Sequence, residues 1–152
     1  MKAIYQPVIN RLSSLLQDNT LRWADMDKGQ LKKVGEKDRP PLNYPCALIS
    51  INIGSTKDIT DTVQDCRATV TMTLAFDPAQ YMRSSAGAPE DVRDKALEPY
   101  DIIARVYGLL QGFGTDAFDS LRRRSQGEVA HNSLFVYRIV FNCEFEDNTA
   151  DE

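Results

Sequence analysis

Two stretches of alternating apolar and polar residues decide the fold: CRATVTMTLAF at residues 66–76 and FVYRIVFNCEF at residues 135–145. Every even position of the first stretch and every odd position of the second is apolar. Because successive side chains of a β-strand point to opposite faces, each stretch predicts a strand with one apolar and one largely polar face. The pattern predicts a sheet that is covered on one face only.

Two further strands are predicted around this pair. Residues 46–53 form an apolar run that is typical of a central strand, and residues 66–76 return antiparallel to it as a hairpin with a polar tip. Residues 21–24 predict a short strand. Trp23, which lies in this strand, is expected to pack in the core, with an interface anchor as the second interpretation.

Apolar residues recur at helical spacing in two segments, residues 4–16 and about 95–111. Pro7 is expected in the first turn of the first helix, where its missing amide costs nothing. Gly112 and Gly114 are expected to end the second helix. The predicted fold is α+β, with a mainly antiparallel sheet of four strands and two main helices packed on one face.

The whole chain, 1–152, is expected to form a single domain. Residues 77–94 are longer than most connections in a compact domain, and we weigh a mobile crossover equally with a partner-binding arm. Residues 115–121 predict one capped helical turn. The acidic tail, residues 148–152, is expected to fray.

Composition excludes several classes of protein. The 22 acidic residues outnumber the 18 basic ones, and the net charge of −4 argues against sequence-specific or broad electrostatic binding to nucleic acid. No apolar run approaches the roughly 20 residues of a membrane helix. Residues 1–7 lack the apolar core of a signal peptide, so we expect a chain that is not secreted and stays in a cytoplasm.

The sequence offers little catalytic chemistry. It contains no phosphate-binding glycine loop, nucleophile elbow or zinc-binding helix motif, and His131 is the only histidine. Cys46, Cys66 and Cys143 lie in strand-like runs and are interpreted as small buried apolar residues. We predict a protein that is not an enzyme and binds no cofactor or metal.

Arg122, Arg123 and Arg124 are the one concentrated basic feature. On an extended segment Arg122 and Arg124 would share a side. We favour a solvated strand edge or a salt bridge to another subunit over contact with nucleic acid, and leave a weak phosphate contact open.

The string RPPLNYPCALI at residues 39–49, the helix over 97–110 and a closing strand that ends in Glu146 and Asp147 resemble the tail terminator, or tail completion, proteins of long-tailed phages and prophages. The resemblance covers roughly residues 4–147 as an arrangement of elements. It implies a one-sheet α+β protein that assembles as a ring, commonly a hexamer, on the head-proximal end of the tail tube. Such a ring stops tube polymerisation and joins the tail to the head.

The partners implied by the resemblance are the tail tube protein and a head-completion protein. The protein would occupy the cytoplasm of the bacterial host during assembly and then the virion tail. Two alternatives stay open: another head-tail connector or minor tail protein of related fold, and a small ligand-binding or enzymatic module. The last would require an enclosed apolar pocket at the open face of the sheet.

Two sets of residues are candidates for assembly contacts under this interpretation. The first set is expected at the interface between subunits and comprises Tyr81, Met82, Arg83, Arg122 and Arg124. The second set lies on the polar face of the sheet, as a surface for subunit contact or a channel wall, and comprises Arg67, Thr69, Thr71, Thr73, Arg138 and Glu144.

Overall fold

The computed structural model of the chain describes residues 1–32, 40–81 and 83–151. One mixed sheet of five strands runs in the order β1-β2-β3-β5-β4. The strands are β1 (Trp23–Met26), β2 (Cys46–Asp58), β3 (Gln64–Phe76), β4 (Arg122–Val129) and β5 (Phe135–Asp147). The helices are α1 (Lys2–Arg11), α2 (Ser13–Gln17), α3 (Glu90–Ala96) and α4 (Glu98–Leu110), with single 3₁₀ turns at Pro78–Gln80 and Thr149–Asp151. No helix in these described ranges is long and apolar enough to cross a membrane.

The α+β class is confirmed, and the two alternating stretches are neighbouring strands in the middle of the sheet. The pairing of β3 with β5 continues without interruption from Gln64 opposite Asp147 to Phe76 opposite Phe135. The predicted hairpin of β2 and β3 is also present, although a register shift interrupts it between Ile53 and Ser55.

The sheet is mainly antiparallel, as predicted, but it has one parallel pair and a fifth strand that the prediction did not include. β1 is parallel to β2, which makes the sheet mixed. β4 is a fifth strand, antiparallel to β5 at the opposite edge. Its sequence, RRRSQGEV, lacks apolar alternation because most of its residues are exposed, as suits an edge strand.

The main core lies between the helices and one face of the sheet, the helix face. Ile4, Val8, Leu12 and Leu15 of the N-terminal helices and Ile103, Val106 and Leu110 of α4 pack against it. The sheet contributes Ala47, Ile49, Ala68, Val70, Met72, Leu74, Phe76, Ile139, Phe141 and Cys143. The apolar positions of the two deciding stretches supply most of this list.

The opposite face, the open face, is not open along its whole length. At one end Leu31, Leu42, Tyr44 and Leu134 pack against a second apolar cluster that includes Cys46, Ala75 and Val136. The prediction of a sheet covered on one face only is therefore wrong at this end. The sequence pattern missed the cover because it comes from irregular chain without periodicity.

Several helix predictions need correction. Pro7 lies inside α1, because the helix already begins at Lys2. The predicted long loop over 77–94 contains a 3₁₀ turn and most of α3, and the predicted helix over 95–111 is interrupted at Leu97 between α3 and α4. Residues 115–121 form no helix, and Thr115 instead makes an isolated bridge to Phe118.

Candidate assembly surfaces

Three cross-strand rows of side chains follow on the open face beyond the covered end, and the first row still contains the buried Leu48 and Thr73. Residues directly opposite each other in neighbouring strands share a face, so the register defines the rows. They are Leu48, Thr73, Arg138 and Gly127; then Ser50, Thr71, Val140 and Ser125; then Asn52, Thr69, Asn142 and Arg122. The face changes from apolar beneath Tyr44 to polar toward the hairpin.

Five of the six residues predicted for the polar face lie on it with at least partial exposure: Arg67, Thr69, Thr71, Arg138 and Glu144. Arg67 and Glu144 are opposite each other and form an ion pair with an N–O distance of 2.8 Å. Glu144 raises the pKa of Arg67 through this hydrogen bond and its charge. Both side chains are about half exposed, so the pair contributes little to stability.

Thr73 corrects the prediction, because only 3% of its surface is accessible. It lies one row from the apolar residues that Tyr44 and its neighbours cover. Its Oγ1 is buried without a hydrogen-bond partner among the described residues. Thr73 is therefore not available for subunit contact.

The three arginines of β4 have different environments. Arg123 lies on the helix face opposite Phe141, with its guanidinium 3.9 Å from the centre of the Tyr107 ring, and donates to Gln126 Oε1 at 2.8 Å. Arg122 lies on the open face opposite Asn142. Arg124 has no opposite residue, because a register shift falls between Arg123 and Ser125. The regular alternation of side chains is interrupted there, so it does not place Arg122 and Arg124 on the same side as predicted.

Arg122 and Arg124 are exposed, and neither side chain makes a hydrogen bond or ion pair with any residue in the described ranges. They line a hollow of about 280 Å³ together with Arg67, Asp119 and Glu144. The hollow lies where β4 begins and β5 continues past it. Two cations at the sheet edge thus have no ionic partner in the part of the chain that the structure describes.

An acidic surface lies just beyond this hollow, at the end of the sheet away from Tyr44, and we call it the acidic tip, residues 57–65 and 145–151. It carries six carboxylates and one lysine: Asp58, Asp61, Asp65, Glu146, Asp147, Asp151 and Lys57. Thr62 Oγ1 donates to Asp151 Oδ1 at 2.8 Å and attaches the C-terminal turn to the hairpin. Hydrogen bonds from Thr149 lower the pKa of Asp147, which keeps that carboxylate charged.

The loop residues predicted for the interface do not form an exposed arm. Tyr81 is half-buried, and its ring makes an edge contact with Phe76 at 6.0 Å between centroids. Burial raises the pKa of Tyr81. Arg83 is exposed with a positive φ of 72°, and Met82 lies outside the described residues. Tyr81 therefore anchors the loop to the core.

A feature that sequence reasoning missed is an apolar cleft beside β1. It has a volume of about 360 Å³ and is lined chiefly by Met1, Tyr5, Met26, Ile49 and Ile51. Met26 is 48% exposed and Trp23, predicted to be in the core, is 43% exposed. Trp23 is the first residue of the four-residue edge strand β1 and therefore lies at the margin of the sheet.

The groups most often used in catalysis have structural roles. His131 Nδ1 accepts the backbone N–H of Ser133 and Leu134 at 3.2 and 3.1 Å, so its Nε2 carries the proton and donates to Leu31 O at 2.9 Å. The cysteines are buried as predicted, and burial raises the pKa of Cys46 to about 12 and of Cys143 to about 11. In the part of the chain that the structure describes, no three candidate ligands are grouped to hold a metal ion.

No protein-family model matches the sequence, and a search of curated proteins gave no match. The structure is similar to a solved chain described as the virion of a native gene transfer agent particle. The TM-score is 0.54 with 12% sequence identity, and the similarity covers 92% of each chain. At this identity the similarity shows a shared α+β fold.

Proposed function

We propose that this chain is a structural component of a phage-like virion. The observation that carries the proposal is the similarity of fold to a chain of a gene transfer agent virion, which extends over 92% of both chains. Such coverage leaves few elements unmatched on either side, so the likeness concerns the whole domain rather than one motif. The partnerless Arg122 and Arg124 and the exposed strand edges are consistent with a protein whose work is assembly.

The particular role that we propose is that of a tail terminator. Copies of the chain form a ring, commonly of six, on the head-proximal end of the tail tube. The ring stops tube growth and binds a head-completion protein, with no catalysis, cofactor or metal. The protein assembles in the bacterial host cytoplasm and then remains in the virion tail. The resemblance of residues 39–49 and 97–110 to the terminator family supports this role beside the fold.

The second candidate is another head-tail connector or minor tail protein, which the same similarity of fold supports. A direct experiment separates the two roles. Gold-labelled protein would be mixed with isolated tail tubes and, separately, with filled heads, and the labelled ends would be counted by electron microscopy. A terminator labels one end of the tubes, whereas a head connector labels the portal vertex of the heads. Labelling of neither would contradict both roles.

A ligand-binding or enzymatic module is less well supported. The apolar cleft that the structure contains lies beside β1, on the side of Tyr5 and Met26, rather than on the open face of the sheet. The open face itself carries the threonine and arginine rows described above. We therefore keep assembly as the proposed function.

A further inference from the structure

Besides the outer edge of the short β1, two stretches of strand edge have no partner strand in the described ranges. β1 pairs only with the first four residues of β2, from Cys46 to Ile49, so the outer edge of β2 is unpaired from residue 51 to 58. The outer edge of β4 is unpaired from residue 125 to 129, since before this point Gln111 Oε1 accepts the Arg123 N–H. Unpaired edges of this kind are templates for pairing with another chain.

The backbone groups on these edges point away from the sheet. Ile49 O accepts the Asp27 N–H and therefore points to the β1 side of β2. Backbone groups of every second residue in a strand point to the same side, so the N–H and C=O of Ile51 and Ile53 also point to this outer side. On β4 the Arg123 N–H points to the outer side, where it meets Gln111 Oε1. The register shift at Arg124 adds one residue, so beyond it the backbone groups of Gln126 and Glu128 point to the outer side. Each edge therefore offers two residues with free donors and acceptors.

We propose that the β4 edge of one copy pairs antiparallel with the β2 edge of the next copy, head to tail. This inference deepens the proposed ring and rests on it. β4 runs antiparallel to β2 within one sheet, so a rotation that carries one copy onto its neighbour brings the two edges together antiparallel. Because the two surfaces differ, the contact is heterologous, and such a contact gives a ring when the rotation between copies closes.

Charge and polarity match in this orientation. The arginine end of β4, with Arg122 and Arg124, lies beside the acidic tip of the neighbour, where Asp58 and Asp61 are exposed and outnumber Lys57. The other end of β4 places Val129 toward the end of β2 that carries the partly buried Ile51 and the exposed Ile53. A parallel pairing would instead place the arginines beside the isoleucines and leave both charge sets without partners.

The offset between the two edges also fits closure. Ser125 is level with Ser50 within one sheet, through Val140 and Thr71. Pairing Ser125 with Ser55 of the neighbour displaces it by about four residues along the sheet, because Ser50 is opposite Thr71 and Ser55 is opposite Arg67. This is about 13 Å over four strand spacings of about 4.8 Å. The corresponding strand tilt is about 35°, at the lower end of the range of about 35–45° found in closed barrels.

Cross-linking tests the pairing directly. In the double variant Ser125→Cys, Ser55→Cys, oxidation should give a ladder of covalent oligomers on a non-reducing gel. Each single variant should give none. Cys46, Cys66 and Cys143 are buried and should not interfere. Oxidised wild-type protein is the control and should give no ladder. Dimers from Ser125→Cys alone would indicate a two-fold β4–β4 contact and overturn the proposal.

Charge reversal is the second test. Arg122→Glu with Arg124→Glu, or Asp58→Lys with Asp61→Lys, should weaken self-association at least about tenfold, because like charges then face each other. Combining the four changes should restore it. Association constants would be measured by analytical ultracentrifugation, and circular dichroism would verify the fold of each variant.

The matched control for the arginine variant is Lys32→Glu with Lys95→Glu. It makes the same change in net charge at two exposed residues away from both edges and should leave association unchanged.

A wild-type monomer at the highest soluble concentration would overturn the pairing. Loss of binding to a DNA duplex in the arginine variant, with association intact, would assign the arginines to nucleic acid and overturn it too. Tube capping that persists in the charge-reversed variants would overturn the pairing while leaving the proposed function standing.

Discussion

Thr73→Val should stabilise the protein, because valine has nearly the same shape as threonine but lacks the hydroxyl group. Thr73 is 3% exposed, and its Oγ1 has no hydrogen-bond partner among the described residues. A buried unpaired hydroxyl costs roughly 1–3 kcal/mol relative to a satisfied one, and valine removes the group without opening a cavity. We expect the free energy of unfolding to rise by about 1 kcal/mol.

Urea unfolding monitored by circular dichroism measures this change. With an m value of roughly 1–3 kcal/mol/M, the midpoint should rise by about 0.3–1 M. The matched control is Thr71→Val, two residues earlier on the same face but half-buried, which should change stability by less than about 0.5 kcal/mol. A loss of about 1 kcal/mol or more in Thr73→Val would refute the reasoning, since it would show that the hydroxyl has a partner.

Two further predictions concern stability. Gly112 follows α4 with a φ of +78°, so Gly112→Ala should lower the free energy of unfolding by about 1 kcal/mol. Gly108→Ala, at an exposed position within α4, should raise it by a similar amount. The two variants should therefore shift the melting temperature in opposite directions, and equal shifts would contradict the assignment. Burial raises the pKa of Cys46 to about 12 and of Cys143 to about 11 from 9.0, so their contribution to stability is complete below pH 9.0 and is lost as the pH rises toward those values. The urea midpoint should fall between pH 8 and pH 10.5, and it should fall less in a Cys46→Ala, Cys143→Ala variant; an equal fall in both proteins would contradict this.

The centre of the sheet could be predicted because its residues alternate between a core and a partly polar face. Met72 and Phe141 lie where their period of two places them, and both are fully buried. The α4 helix was predictable for the corresponding reason, since Ile103, Val106 and Leu110 recur at helical spacing and pack on the sheet.

The edges of the sheet and the cover of its open face could not be predicted. β4 has no apolar pattern because it is an exposed edge, and its helix-face residue Arg123 is held by the Tyr107 ring rather than by burial in the core. Thr73 reads as a surface residue because a threonine on a strand does not reveal what covers it. The cover, with Leu42 and Tyr44, is irregular chain whose position depends on tertiary contacts alone.

For the candidate site, the structure gives the position of the described residues, and their role in assembly stays a prediction. Arg122 and Arg124 are exposed at the start of the edge strand β4. Tyr81 instead contacts Phe76 and belongs to the fold. The unpaired β2 edge had no sequence signal, because it exists only where the short β1 ends.

The length of tail tubes tests the proposed terminator role most directly. Purified tube subunits would be polymerised with increasing amounts of this protein, and tube lengths and ends would be measured by electron microscopy. A terminator predicts progressively shorter tubes, each with a ring of this protein at one end. Tubes of unchanged length with bare ends, at an excess of folded protein, would contradict the role.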